Sequence, residues 1–166
     1  MTKRMTIIEI QKEAMKFSSA HFTIFSPTVR EPLHGHNYYV YMGLHTEVLD
    51  NGLSYDYRTY KKTAYELCRE LNQRVLVPLH SKYLEIREDD THVHLRFNED
   101  TMSLMKKDVK FLPICNITVE ELSTWFLQKL TADPAALKRD HIKAIDVKVF
   151  TGPGQSGSSH WQSEGQ

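Results

Sequence analysis

Between Met15 and Phe25 apolar and polar side chains alternate, and the run ends in Ser26-Pro27-Thr28. A period of two puts alternate side chains on opposite faces of a strand, so a first strand is expected over 15–25. A second, rich in tyrosine and valine, is expected from about His36 to Val48, where Asp50-Asn51-Gly52 supplies a turn. The period then lengthens. Tyr60, Ala64, Leu67 and Leu71 recur at helical spacing within residues 57–76, with Asp56 placed to cap the helix and Pro78 to stop it. Residues 83–97 return to alternation around Asp89-Asp90, a hairpin in outline. Thr118-Val119-Glu120-Glu121 forms a capping box that opens a second helix. The last strand is expected over 141–150, ahead of the glycine-rich segment 152–157.

The order strand, strand, helix, hairpin insert, helix, strand contains no internal repeat and no linker. It predicts one α+β domain over residues 1–166: an antiparallel sheet with two helices packed on one face, interrupted by an insert at about 76–112. A chain of 166 residues is long enough to bury a substantial core. Lysine plus arginine equals aspartate plus glutamate at 21 each, which gives no reason to expect nucleic acid or an anionic membrane as partner. No segment reaches the roughly 20 apolar residues of a membrane helix. The first residues lack the apolar stretch of a signal peptide, so a cytoplasmic protein is expected, with Cys68 and Cys115 reduced.

Candidate chemistry concentrates in the histidines. In a strand His34 and His36 point the same way and can reach one ion, and Gly35 between them lets another backbone approach closely. His21 lies on the preceding strand, thirteen residues before His34. If the two strands pair, three imidazoles meet, a set that suits zinc and leaves a fourth position open. The spacing alone does not decide between that site and a surface strand carrying imidazoles. His92-Val93-His94 repeats the His-x-His pattern without a third candidate nearby and reads as a solvated face. A cupin site would need a glutamate about four residues after the pair, where Tyr39-Val40-Tyr41 stands. Met102, Met105 and Trp125-Phe126 read as core or subunit contact.

The ordered set Phe17-Ser18-Ser19-Ala20-His21, Leu33-His34-Gly35-His36-Asn37-Tyr38, Tyr55-Asp56-Tyr57, Asn116-Ile117-Thr118-Val119-Glu120 and Val147-Lys148-Val149-Phe150 spans nearly the whole chain. It resembles the 6-pyruvoyl- and 6-carboxy-tetrahydropterin synthase family. The resemblance implies the tunnelling fold, Zn2+ on His21, His34 and His36, and dihydroneopterin triphosphate as the type of substrate. It also implies a homo-oligomer with pockets between subunits, and a pterin pocket lined by Thr118 and Glu120. Three departures stand out. No cysteine precedes His-Gly-His; instead Glu31 stands three residues before His34, as in a branch of the family associated with cleaving the side chain to 6-hydroxymethyl-dihydropterin. The family's Asp-His pair is replaced by Asn72-Gln73, for which His80 is a candidate substitute. The glutamate that anchors the pterin ring falls at Thr151, which cannot make a carboxylate's paired bonds.

The expectation is therefore a zinc-dependent lyase with Glu31 as base. Two alternatives stay open: a catalytically silent zinc-binding relative that holds a pterin- or purine-like ligand, and a zinc hydrolase or isomerase acting on a non-pterin substrate.

Overall fold

The structure, a computed structural model, describes residues 4–163. Its centre is β3 (His34–Val48), a 15-residue strand. On one edge β3 pairs first with β2 (Lys16–His21) and then with β1 (Arg4–Ile10); on the other it pairs with β9 (Ile142–Gly152), all antiparallel. β10 (Gln155–Gln162) closes that side against β9. β2, β3 and β9 follow the alternation in the sequence, although β2 stops at His21 and β3 starts at His34, whereas β1 and β10 are elements the pattern did not call for.

The largest difference from expectation lies at the first helix. α1 (Arg58–Leu71) ends at Leu71 instead of running on to residue 76. Asn72 is extended and Gln73 takes a positive φ of 59°, its N–H donating to Ser18 O at 2.7 Å. The apolar run 75–77 then forms β4 (Arg74–Pro78), in parallel beside β2. Those residues are worth more in the sheet interior, where Leu76 and Val77 are fully buried, than on a helix end, so tertiary burial overrides the helical pattern. The helix start also differs. Tyr57 is the capping position, and Asp56 instead accepts from the N–H of Arg58 and pairs with its guanidinium.

The insert is a separate antiparallel sheet of three strands, β5 (Leu84–Glu88), β6 (His92–Phe97) and β7 (Asp100–Met105). The chain then returns through β8 (Val109–Leu112), parallel to β4. The main sheet is thus antiparallel except where the helical and insert crossovers deliver β4 and β8 in parallel. α2 (Val119–Leu130) and the short α3 (Pro134–Arg139) complete the fold.

Two cores result. In the larger, Tyr38, Val40, Met42 and Leu44 from one face of β3 pack against Tyr60, Ala64 and Leu71 of α1 and Leu122, Trp125 and Phe126 of α2. Each large apolar side chain so buried contributes roughly 1.5–3 kcal/mol. The smaller core lies under the insert, with Phe22, Ile24, Val93, Leu95 and Phe97. Among the described residues all three helices bury side chains in the larger core, and none covers the opposite face of the main sheet. No helix among the described residues is long and apolar enough to cross a membrane.

Candidate metal centre and cavity

The pairing of β2 with β3 sets His21 directly opposite His34. Gly35 makes the close approach possible, since a Cβ there would stand 3.3 Å from Ser19 O of β2. One nitrogen from each of His21, His34 and His36 lies within 4.8 Å of the others. His34 Nε2 and His36 Nε2 are 3.0 Å apart.

The outward-turned nitrogens explain how the rings are held. His21 Nδ1 is 2.9 Å from Ile117 O, and His34 Nδ1 is 2.9 Å from Pro32 O. A carbonyl can only accept, so both rings carry their proton on Nδ1 and present an Nε2 lone pair to the cluster. His21 Nε2 is fully buried with no partner. Burial pushes the His21 imidazole down to about 4, and burial together with His34 lowers that of His36, so both are neutral near pH 7. His36 Nε2 can donate to His34 Nε2 or, with its proton on Nδ1, turn a lone pair inward; in that tautomer all three rings offer a lone pair to one cation. Tetrahedral zinc at its usual Zn–N length holds ligand nitrogens about 3.3 Å apart. The donor set therefore fits a zinc ion.

The cluster opens into a cavity of about 660 Å³, within the range that holds a drug-sized ligand. Glu31 borders it, with Oε2 4.0 Å from His34 Nε2. Thr23 clamps this residue: its N–H donates to Glu31 Oε2 at 3.1 Å, and its carbonyl accepts from Glu31 N at 2.9 Å. Burial raises the Glu31 carboxyl, but the Thr23 bonds and the nearby imidazoles outweigh it and hold the group below the usual carboxylate range. Arg30, next in the loop, pairs with Asp100 of the insert at 2.6 Å and lies over Phe22 and Phe97.

Thr118, Glu120 and Thr151 border the same cavity. Thr118 caps α2, its Oγ1 accepting from Glu121 N at 3.3 Å. The return half of the expected capping box goes elsewhere, because the Glu121 carboxylate accepts from the N–H of Cys115. The α2 N-terminus sits hard against β10. A Cβ on Gly157 would lie 2.5 Å from Val119 C and 2.6 Å from Glu120 N.

Other candidates stand apart. Asn72 is engaged with the N–H of Ser18 at 2.8 Å, and Gln73 borders a different cavity behind Gly35. His80 lies in a neighbouring cleft with Lys82, Tyr83 and Cys115. Cys68 is buried in the core, its thiol pushed up to about 12 by burial. No cysteine borders the histidine cavity among the described residues. His94 is exposed and bound to Asp89 at 2.7 Å, as a solvated face requires. Four of the polar cavity residues had no such role in the sequence reading: Thr23, Tyr38, Asn116 and Gln155. Asn116 holds both the N–H and the carbonyl of Ile24, like a strand neighbour. A lone amide in a loop gives no signal of that. Gln155 sits where β10 shifts register against β9, an irregularity that re-aims a side chain.

A twisted α+β sheet with a metal-competent, carboxylate-flanked cavity at one end of its central strand defines the class of protein. The sequence profile of the 6-pyruvoyl tetrahydropterin synthase family matches residues 9–159. A Methanocaldococcus jannaschii protein provisionally described as a 6-carboxy-5,6,7,8-tetrahydropterin synthase is 30% identical over 142 residues, 85% of this chain and 86% of its own. The 6-pyruvoyl tetrahydropterin synthase of Plasmodium falciparum has a TM-score of 0.89 at 26% identity, covering 96% of this chain and 99% of that one. A Plasmodium vivax homologue of that name, solved with a catalytic glutamate replaced by alanine, gives 0.90 at 25% identity with the same coverage. The chain belongs to the 6-pyruvoyl tetrahydropterin synthase family, lyases of pterin biosynthesis with the tunnelling fold.

Proposed function

We propose that the chain is a zinc-dependent lyase acting on 7,8-dihydroneopterin triphosphate or a close relative, and that it cleaves the side chain to leave 6-hydroxymethyl-dihydropterin. Glu31 carries this reading. Its carboxylate is 4.0 Å from His34 Nε2 in a cavity that no described cysteine borders. The Plasmodium vivax relative, in which a glutamate is named catalytic, supports it further.

His21, His34 and His36 would hold the zinc, which would supply a Lewis acid toward a side-chain oxygen. The proposed product keeps one side-chain carbon on the ring, so the bond that breaks joins the first and second side-chain carbons. Glu31 takes the proton from the hydroxyl on the second carbon, which leaves as an aldehyde. The electron pair stays on the first carbon, shared with the conjugated ring, and is quenched by a proton that Glu31 can return. Thr118, Glu120 and Thr151 hold the ring end. Copies of the chain form a homo-oligomer, a reading supported by the helix-free sheet face, where Met5, Ile7 and Tyr39 are exposed.

A second reading draws on Thr151, a neutral side chain at the position where the family resemblance calls for an anchoring carboxylate. It favours a zinc-binding relative that takes a different heterocycle. Mass-spectrometric product analysis of zinc-loaded protein with 7,8-dihydroneopterin triphosphate separates the possibilities. A 6-hydroxymethyl product is expected. A 6-pyruvoyl or 6-carboxy product would overturn the cleavage mechanism, and unchanged substrate would favour the second reading.

A further inference from the structure

Among the described residues three side-chain polar atoms are fully buried without a partner: His21 Nε2, Trp125 Nε1 and the hydroxyl of Tyr38. A metal accounts for the first. The third belongs to a residue that borders the same cavity. Tyr38 is the next residue after His34 and His36 on one face of β3 and is 1% exposed. Its ring stacks on Phe17 at 4.7 Å and meets the rings of His36 and His21 edge-on at 5.6 and 6.0 Å. It borders the cavity that holds Glu31.

A phenylalanine would fill this space and make the same stacking contacts. The hydroxyl adds only a donor, which loses its water on folding and receives nothing from the protein in return. Such a group is at no disadvantage once an acceptor oxygen enters the cavity beside it. A phenol is protonated at neutral pH and donates one hydrogen bond. The oxygens available there are those of a water molecule or of the substrate's side chain.

We propose that the Tyr38 hydroxyl is a binding group of the site, donating a hydrogen bond to the oxygen that occupies the cavity beside the three histidines. The inference rests on reading those histidines as a metal site. It adds a fifth side chain to the chemistry, next to the three histidines and Glu31, and gives the buried donor a partner only in the loaded protein.

Tyr38→Phe tests it, with zinc as the probe and wild-type protein in parallel. Without metal, the variant should melt at or above the wild-type temperature, because an unpartnered group has been removed. Zinc binding should weaken about tenfold, the usual scale for losing a hydrogen bond behind a metal site, and the zinc-induced rise in melting temperature should shrink. With cobalt(II) in place of zinc, the visible absorption bands should shift. Equal zinc affinity with superimposable cobalt spectra would overturn the proposal. So would a metal-free variant that melts well below wild type, since the hydroxyl would then be paired within the fold. Wild-type protein that takes up no zinc would remove the metal reading itself and this inference with it, an outcome distinguishable because it needs no variant.

Discussion

Glu31 and His21 show how a few ångströms of tertiary placement turn ordinary side chains into a site. Glu31 sits in a loop, half-exposed, and gains its position from the two backbone bonds of Thr23. Glu31→Gln keeps the shape and removes the proposed base. Turnover should fall by roughly 10²–10⁴-fold, the usual range for general-base catalysis, while metal analysis finds zinc retained. His21 makes a separate prediction about the metal-free protein. Its imidazole stands at about 4 in the folded chain against an ordinary value near 6.5. Between those values the unfolded chain binds the extra proton and the folded chain does not, so stability falls as pH is lowered through that window. The loss is on the order of 3 kcal/mol by pH 4, readable from urea unfolding of metal-free protein at pH 7 and pH 4. His21→Phe should flatten that difference.

At the scale of elements, the cavity depends on how closely β10 and α2 meet. Gly157 leaves no room for a methyl group between the β10 backbone and the first turn of α2, where Thr118 and Glu120 sit. Gly157→Ala should cost about 1–3 kcal/mol through overpacking. It should also raise KM for the pterin substrate, because the α2 N-terminus must shift. A melting curve and a Michaelis curve on the same preparation check both. The helix boundaries teach a related lesson. Tyr60, Ala64, Leu67 and Leu71 marked α1 by their spacing, and all four are buried as that spacing requires. The stretch after Leu71 could not be assigned the same way. Val75, Leu76 and Val77 suit either a helix or a buried strand, and only the vacancy between β2 and β8 selects the strand.

Across the whole molecule the insert touches the Glu31 loop through Arg30. Arg30 reaches from the Glu31 loop to Asp100 and Phe97 of the three-stranded insert. Arg30→Ala should lower kcat more than it lowers stability, and adding Asp100→Ala should change kcat little further, since both remove one contact. A double-mutant cycle in kcat reads this; additive effects would separate the insert from the site. A metal on the proposed site would tie two strands together, because His21 is on β2 while His34 and His36 are on β3. Removing zinc with a chelator should lower the melting temperature, and His34→Ala should abolish both the zinc content and that difference.

From the sequence alone came the α+β class, the alternation that builds β3, the spacing of α1, the capped start of α2 and the three histidines. These rest on local rules of period and capping, which a chain carries within a dozen residues. The sequence also flagged Glu31, Thr118, Glu120 and Thr151, through the family's ordered motifs and the departures from them. The fold alone decided that these residues share one cavity, because it depends on β2 pairing with β3 in a particular register and on β10 pressing against α2. Thr23, Tyr38, Asn116 and Gln155 were invisible for the same reason. Each works through a backbone contact, a buried donor without a partner, or an irregular register, and these properties belong to neighbours that the chain brings together only when folded.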